Sequence, residues 1–168
     1  MNVSIVKARP DDWEKVRALR IRAVKEHPKA FGQTLVEASE TTETQWRERF
    51  DRDGYILAKR GDEFVGMACY VQEKGEKLRH VAFVYSMYVA PEVRRQGVGR
   101  ALLDGLISDI KVKHSEIVKL QINVSVAQPE AHALYKSVGF EDVGILEKEL
   151  KVDGEFIDEY TMAMMLDV

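Results

Sequence analysis

Apolar side chains spaced three or four residues apart predict the helices of this chain. The first helix ends before Pro28, because the residue that precedes a proline avoids the helical region. Its apolar residues are Trp13, Val16, Leu19, Ala23 and Val24. The predicted helices are residues 10–27, a short helix containing Trp46 and Phe50 behind a Thr42 or Thr44 cap, residues 98–113 and residues 129–138.

Shorter apolar runs bounded by turn residues predict the strands. The sequences Arg-Gly-Asp at 60–62 and Asp-Gly at 153–154 predict turns between consecutive strands. The predicted strands are residues 3–7, 55–59, 63–72, 80–90, 117–124, 143–152 and 156–165. Strands dominate the middle of the chain and two strand–helix units come late, which favours an α+β fold over a doubly wound sheet.

The junction before the helix at 98–113 carries the first chemical signal. From Pro91 it reads Pro-Glu-Val-Arg-Arg-Gln-Gly-Val-Gly-Arg-Ala. Such a turn leaves backbone N–H groups unpaired at the positive end of a helix dipole, and Arg94, Arg95 and Arg100 add charge. The sequence therefore predicts a site for a pyrophosphate.

Three kinds of phosphate-binding turn are compared with this junction. A P-loop needs Gly-x-x-x-x-Gly-Lys-Ser/Thr, which the chain lacks. A dinucleotide fingerprint needs a third glycine where Leu102 stands, in an early strand–helix–strand unit. The third pattern, Arg/Gln-x-x-Gly-x-Gly/Ala, is filled by Arg94, Gly97 and Gly99. Taken alone, this pattern also fits an ordinary basic turn between a strand and a helix.

A second motif follows the strand at 117–124. Pro129 stands in the first turn of a helix, and Gly139 stands where a helix C-cap is expected. One face of this helix carries Ala131, Leu134, Tyr135 and Val138. Tyr135 at this spacing also fits a plain core aromatic.

In this order, the two motifs resemble the acyl-CoA-binding signatures of the GNAT acetyltransferase superfamily. The second signature is Asn-x-x-Ala-x-x-Leu-Tyr-x-x-x-Gly-Phe, and it is matched at Ala131, Leu134, Tyr135, Gly139 and Phe140. The usual Asn is Gln128 here, which carries the same amide one methylene further out and puts that one contact to CoA in question. The specific motifs cover residues 87–140, and the order of elements extends the resemblance over nearly the whole chain.

The resemblance implies a fold, a cofactor and a reaction. The fold is a mixed, mostly antiparallel central sheet flanked by helices, with a splayed strand pair at the acyl-CoA site. The reaction moves an acetyl group from acetyl-CoA to a primary amine by direct attack in a ternary complex. Backbone groups of residues 87–89 would bind the pantetheine, and the amides of residues 95–101 would hold the pyrophosphate. The implied acetyl-CoA-binding residues are Met87, Tyr88, Val89, Arg94, Arg95, Gln96, Gly97, Val98, Gly99, Arg100, Ala101, Gln128 and Tyr135.

By the same resemblance, Tyr135 is the general acid that protonates the departing thiolate. Neutralising a lysine-like amine at pH 7 costs about 4.6 kcal/mol, so a base or a desolvated acceptor pocket is also needed. The strand at 80–90 contains no acidic residue. His80, Glu37, Glu73 and ordered water remain candidates for the base, and the sequence assigns none of them.

The resemblance implies an acceptor wall in the loop after the first helix, at Phe31 and Gly32, and Tyr85 could also line the acceptor pocket. Phe31 also fits a simple loop anchor. On the closing hairpin, acidic residues would either attract a cationic amine or form the outward face of a half-buried strand, and the second interpretation is favoured. These residues are Glu155, Asp158 and Glu159. Whether the acceptor is a small molecule or a peptide or protein amine stays open.

Composition narrows the class of protein. A length of 168 residues predicts one domain over residues 1–168, and 45% hydrophobic with 32% charged residues is ordinary soluble composition. No apolar stretch is long enough to span a bilayer and no signal-peptide layout is present, so we expect a cytoplasmic protein without a membrane partner. Cys69 is the only cysteine and is expected to be a buried small hydrophobe. A net charge of −3 without a long basic run argues against nucleic acid as a partner, and no metal is expected.

Two other functions remain open at this point. One is a catalytically silent acyl-CoA-binding or regulatory module, and the other is a nucleotide-binding regulator. The sequence also leaves open the acyl-chain preference and the oligomeric state, although an edge hairpin offers a surface for a homodimer.

Overall fold

The computed structural model describes residues 2–167, so Met1 and Val168, the two ends of the predicted domain, lie outside it. These residues form a seven-stranded sheet in the order β1-β2-β3-β4-β5-β7-β6. The strands are β1 Ser4–Lys7, β2 Gly54–Arg60, β3 Glu63–Gln72, β4 Val81–Val89, β5 Lys119–Ser125, β6 Glu141–Val152 and β7 Glu155–Met165. The helices are α1 Trp13–Glu26, α2 Leu35–Glu40, α3 Glu43–Arg52, α4 Val98–Lys113 and α5 Pro129–Val138. Short 3₁₀ turns lie at Pro10–Asp12, Glu76–Leu78 and Pro91–Val93.

This architecture confirms the predicted α+β class. The Thr42 hydroxyl accepts a hydrogen bond from the Gln45 amide and so caps α3, one of the two caps predicted. Helix α2 was not predicted, because its six residues carry too little periodicity. Its start has a local signal nonetheless: Thr34 and Glu37 form a reciprocal capping box.

Helices α1 and α4 cover opposite faces of the sheet. Tyr70 of β3 donates a hydrogen bond from its hydroxyl to Asp109 of α4 at 2.8 Å, so this side chain points to the α4 face. Met67, three residues earlier on β3, lies opposite Tyr88 of β4, whose hydroxyl donates to Glu26 of α1 at 2.6 Å. Alternation along β3 therefore separates an α4 face from an α1 face. Leucines 102, 103 and 106 of α4 fill the core on the first face.

A bulge in β4 interrupts this alternation. Cys69 of β3 pairs with Tyr85 and Met67 pairs with Tyr88, so β4 has one residue more than β3 across this interval. The bulge includes Ser86, which has a φ of 55°, in the left-handed region. As a result Tyr85 and Tyr88, three residues apart, both face α1.

Strands β4 and β5 are parallel neighbours that separate soon after they meet. Their pairing joins residues 81–83 of β4 to residues 119–121 of β5. Beyond that point β4 runs on to Val89 and β5 to Ser125 without further pairing between them. This is the predicted splayed strand pair, and it opens a cleft in the sheet.

Candidate active site

A cavity of about 540 Å³ fills the cleft between β4 and β5. Its walls come from residues 83–89 of β4, residues 122–125 of β5, the turn into α4, the inner face of α5 and the loop after α1. The cavity therefore lies where β4 and β5 separate, and its walls combine segments that are far apart in the sequence.

The turn into α4 supplies unpaired backbone donors at one end of the cavity. Gly97 is the N-cap of α4 with a φ of 78°, and its carbonyl accepts the first helical hydrogen bond from the Ala101 amide at 3.0 Å. The amides of Val98, Gly99 and Arg100 therefore have no acceptor within the helix, and they lie at the positive end of the helix dipole. This geometry suits an anionic phosphate group.

Gly99 keeps this end of the cavity open. A Cβ built on Gly99 would lie 2.9 Å from Cδ2 of Leu134 and 3.6 Å from Cε of Met87. Both of those side chains line the cavity. A larger residue at 99 would therefore crowd the contact between α4 and α5 and fill part of the cleft.

The three arginines of the turn have different surroundings. Arg94 donates from Nε to the Val89 carbonyl, and its Nη2 lies 2.7 Å from Nε2 of His27. Arg100 donates to the Ser137 carbonyl at 3.1 Å, on α5. The side chain of Arg95 is 89% exposed. All three line the cavity, but Arg95 has the most freedom to reach a ligand.

Two of the predicted acetyl-CoA-binding residues lie off the cavity. The amide of Ala101 is used inside α4, so it is not available to a pyrophosphate. Gln96 directs its side-chain amide to the Glu92 carbonyl at 3.4 Å. The other predicted residues, Met87, Tyr88, Val89, Arg94, Arg95, Gly97, Val98, Gly99, Arg100, Gln128 and Tyr135, all line the cavity.

Tyr135 lies in the wall formed by α5. It is 4% exposed, and its ring packs edge-on against Phe140 with centroids 6.0 Å apart. Within the part of the chain that the structure describes, its hydroxyl makes no hydrogen bond. Burial raises the pKa of Tyr135, so the group is a protonated phenol near neutral pH. A proton donor without a protein acceptor is thus available to a ligand in the cleft. Gln128, at the N-cap of α5, lines the same wall.

Glu159 of β7 lies in the cavity wall, which corrects the prediction of an outward-facing residue. It pairs in register with Ser125 of β5, and it is 9% exposed. Among residues 2–167 it has neither a hydrogen bond nor an ion pair from its side chain. Burial raises the pKa of Glu159, and the nearby charge of Glu149 raises it further. Ile157, two residues earlier on β7, is buried and faces the same side of the strand as Glu159. This spacing of two was the sequence signal that could have shown the orientation of Glu159.

The other two acidic residues of the hairpin differ from Glu159. Glu155 is an exposed partner of Lys29, with 2.5 Å between Oε2 and Nζ. Asp158 accepts a hydrogen bond from the Lys148 amide at 2.7 Å. Neither lines the cavity, so the prediction of an outward face fits these two residues.

The predicted acceptor residues Phe31, Gly32 and Tyr85 all line the cavity. They lie on the α1 side, where Arg20 of α1 also reaches the cavity and packs 4.5 Å from the Phe31 ring centroid. In contrast, the candidate bases His80, Glu37 and Glu73 do not line it. Glu37 is used in the capping box of α2.

The two ends of the cavity lie on opposite faces of the sheet. The α4 turn and α5 belong to one face, as the close approach of Gly99 and Leu134 shows. The α1 face carries Tyr85, Glu159 and Arg20. The pairing of β4 with β5 places Asn123 and Ser125 on the same face as Tyr85, and Glu159 of β7 pairs with Ser125. Two ligands that enter from opposite faces would therefore meet in the gap between β4 and β5.

The acetyltransferase (GNAT) family model matches residues 17–140, which include both motifs and most of the cavity wall. The chain belongs to the GNAT acetyltransferase family. The family predicted from the two motifs is thereby confirmed.

Relatives of known name are acetyltransferases of this family type. The chain is 31% identical to a mycothiol acetyltransferase of Thermobispora bispora over 132 residues, which are 77% of this chain and 43% of that protein. It is 36% identical to the [ribosomal protein bS18]-alanine N-acetyltransferase of Escherichia coli over 64 residues, 38% of this chain and 42% of that protein. The chain thus spans less than half the length of these curated relatives.

Solved structures share the fold over almost the whole chain. A ribosomal-protein-alanine N-acetyltransferase from Brucella melitensis has a TM-score of 0.81 at 28% identity, covering 97% of this chain and 99% of that one. The GNAT fold of this chain also matches yncA, a putative acetyltransferase from Salmonella typhimurium, solved with acetyl-CoA. That likeness has a TM-score of 0.84 at 19% identity and covers 100% of this chain and 96% of the other.

Within residues 2–167, His, Cys, Asp and Glu side chains form no group of three or more that could hold a metal ion. None of the helices described above combines the length and the apolar composition that a membrane-crossing helix requires.

Proposed function

We propose that this protein transfers an acetyl group from acetyl-CoA to a primary amine, with both substrates bound in the cleft at once. One observation carries the proposal. The gap between β4 and β5 joins a helix N-terminus with free amides to the Tyr135 hydroxyl, which makes no hydrogen bond within residues 2–167, and to the carboxylate of Glu159. Family membership and the acetyl-CoA-bound neighbour of the same fold support the choice of donor.

The donor would lie along β4. The amides of Val98, Gly99 and Arg100 would hold the pyrophosphate, and Arg95 would add charge from solvent. The free edge of β4 after residue 83 would receive the pantetheine as an added strand. A pantetheine that follows β4 in this way would bring the thioester to the bulge at Ser86. Its sulfur would then lie on the side of the cleft that Tyr135 lines. The amide of Gln128 lines this path and would contact the pantetheine in place of the usual Asn.

The chemical step needs one proton acceptor and one proton donor. Glu159 is the carboxylate that the acceptor side offers to a cationic amine, and it would take the proton that the amine must lose. Its raised pKa brings it closer to neutral pH and makes it a stronger base than an exposed glutamate. The neutral amine would then attack the thioester carbonyl, and the C–S bond would break as Tyr135 donates its proton to the CoA thiolate that leaves. The nitrogen would lose its second proton as the amide forms, which restores the Tyr135 phenol, and Glu159 would release its proton to solvent.

Relatives are named for two kinds of acceptor, mycothiol and the alanine of a ribosomal protein. For this chain we propose an amine acceptor of either a small molecule or a protein. We also propose a cytoplasmic location, where acetyl-CoA is present.

Binding and turnover test the proposal separately. The unfolding temperature should rise by several degrees with acetyl-CoA at 100 times its Kd, which adds about 2.7 kcal/mol, and should not rise with ATP or NAD. A thioester-consumption assay with a panel of amines should then show acceptor-dependent release of CoA. A shift with acetyl-CoA but no release with any amine would indicate a silent CoA-binding module. A shift with ATP or NAD alone would contradict the assignment of the turn.

A further inference from the structure

Arg20 is a charged residue in the cavity wall for which the proposed donor has no use. It lies on α1 and reaches the acceptor side of the cleft. Its Nη1 is 3.4 Å from the Ser86 hydroxyl and its Nε is 3.3 Å from the Gln33 side-chain oxygen. Both are neutral groups at long hydrogen-bond distances, so they compensate the guanidinium charge weakly.

Two arginines outside the cavity, Arg22 and Arg52, have carboxylate partners. Arg22, two residues further along α1, makes a bidentate pair with Glu92 at 2.8 and 2.9 Å. Arg52 pairs with the buried Asp53. In the described residues, Arg20 has no carboxylate within 4.0 Å. Burial, with a smaller contribution from the positive charge of Arg49, lowers the pKa of Arg20 to about 10.

The Arg20 guanidinium is also held in place. The Phe31 ring lies 4.5 Å from it, a distance at which a flat guanidinium stacks on an aromatic face. Ser86, on its other side, is the bulge residue beside the proposed thioester position. A fixed, desolvated cation with no anionic partner gains most from a ligand that supplies a carboxylate.

The acceptor side therefore presents two charges of opposite sign, Arg20 from α1 and Glu159 from β7, neither of which has an ion-pair partner among residues 2–167. A simple alkylamine would satisfy only Glu159. The N-terminus of a protein likewise brings an ammonium group, but its first carboxyl is an uncharged amide. An amine that carries its own carboxylate would satisfy both charges.

We propose that Arg20 binds the carboxylate of the acceptor, so that the acceptor is a small zwitterionic amine of the free amino-acid class. This inference rests on the proposed acetyltransferase function and narrows its acceptor. Phe31 would serve as the stacking support of Arg20, and Ser86 would lie where the carboxylate end and the thioester approach each other.

The experiment compares free L-amino acids with their own carboxamides as acceptors, using acetyl-CoA consumption and product mass. The amide keeps the amine and side chain and removes only the negative charge. We expect kcat/KM for the best amino acid to exceed that for its amide by about 100-fold or more, because the amide leaves the guanidinium unpaired. Arg20→Gln should remove this preference, lowering kcat/KM for the acid and leaving the amide within about threefold of the wild-type value.

Two further variants control for structure. Arg17→Gln is the matched control, because Arg17 is on the same helix and donates to the Ser39 and Thr41 carbonyls instead of reaching the cavity. It should keep the full preference for the acid. Arg20→Lys keeps the charge without the planar guanidinium, so it should retain part of the preference for the acid. It replaces Arg20→Gln as the test variant if Arg20→Gln does not fold. The Kd of acetyl-CoA should be the same in all three variants.

The outcomes separate this inference from the proposed function. Turnover of amines with equal kcat/KM for acids and amides would overturn the inference and leave the proposed function standing. Loss of acetyl-CoA affinity in Arg20→Gln would also overturn it, because Arg20 would then serve the donor. If neither series is acetylated but another amine is, the inference fails and the proposed function stands. If no amine of any class is acetylated, the proposed function itself fails.

Discussion

Arg94 donates a hydrogen bond from Nε to the carbonyl oxygen of Val89 at 2.8 Å, which connects the turn into α4 to the last residue of β4. The same guanidinium lies 2.7 Å from Nε2 of His27, at the end of α1. The arginine that begins the turn motif therefore braces the rim of the cleft. We therefore expect the electrostatic attraction of a phosphate to come more from the helix amides and from exposed Arg95 than from Arg94.

Arg94→Met should destabilise the protein by about 1–2 kcal/mol, because it removes a charged hydrogen bond to a partly buried carbonyl. The free energy of unfolding in urea measures this loss. Burial and the charge of Arg94 lower the pKa of His27, so that pKa should rise in the variant, as NMR titration would show. Arg95→Met, at a side chain that is 89% exposed, is the control and should leave stability unchanged. Equal stability of both variants would contradict the bracing role.

Gly97→Ala should destabilise the protein by about 1–2 kcal/mol and weaken acetyl-CoA binding. Gly97 has a φ of 78°, in the left-handed region that costs a residue with a Cβ this much, although space around it is free. Relaxing the strain would move the three free amides of α4. Gly32→Ala is the matched control, since its Cβ also meets nothing within 4 Å and no positive φ is involved. Calorimetry with acetyl-CoA should show weaker binding for Gly97→Ala alone.

Tyr135→Phe should keep the fold and the affinity for acetyl-CoA while lowering kcat by about 100-fold or more, the range of a general acid. No protein hydrogen bond of the Tyr135 hydroxyl is lost among the described residues, so stability should change little. Tyr70→Phe reverses this pattern: it removes the 2.8 Å bond to Asp109, which lies off the cavity, and should lower stability at constant kcat. An unchanged kcat in Tyr135→Phe would remove the proposed acid.

Glu159→Gln should lower kcat/KM and flatten the acidic limb of its pH profile. The folded-state pKa of Glu159 is raised, so in the wild type the active carboxylate form should develop above the usual range of a glutamate, and activity should rise there with pH. The sign for stability is opposite: the folded protein retains this proton more strongly, so the contribution to stability is complete below the unfolded-state pKa and is lost as pH rises through the folded-state pKa.

Glu155→Gln serves as the control for Glu159→Gln, because Glu155 lies on the same strand and off the cavity. Its pH profile should match that of the wild type. Should the acidic limb persist unchanged in Glu159→Gln, another group or water must take the proton.

Local signals in the sequence were enough for every strand, for the helices other than α2, and for the turn and helix that line one end of the cavity. The turn from Arg94 to Ala101 and the helix around Tyr135 depend on near neighbours: a capping glycine, a helical period and a following strand. These features lie where they were predicted. The exception is the amide of Ala101, which the first helical hydrogen bond uses; this bond follows from counting four residues on from Gly97.

The acceptor end depends on contacts that local patterns do not contain. Glu159 enters the cavity because β7 inserts between β5 and β6, which places it opposite Ser125 from a distant part of the chain. Ser86 adopts a positive φ in a β-branched and aromatic run with no glycine to announce a bulge. Arg20 reaches the cavity between the bulge of β4 and the loop of Phe31, and the helical pattern of α1 contains no sign of either neighbour.

The short seam between β4 and β5 has a mechanical consequence. Strands β1 to β4 and strands β5, β7 and β6 form two hydrogen-bonded plates, and three residue pairs join them. We therefore expect the sheet to bend more easily about this seam than within either set of strands. A ligand that lies across the gap would contact both sets of strands and restrict their relative motion. Slower amide hydrogen exchange should therefore extend to strands that the ligand does not touch.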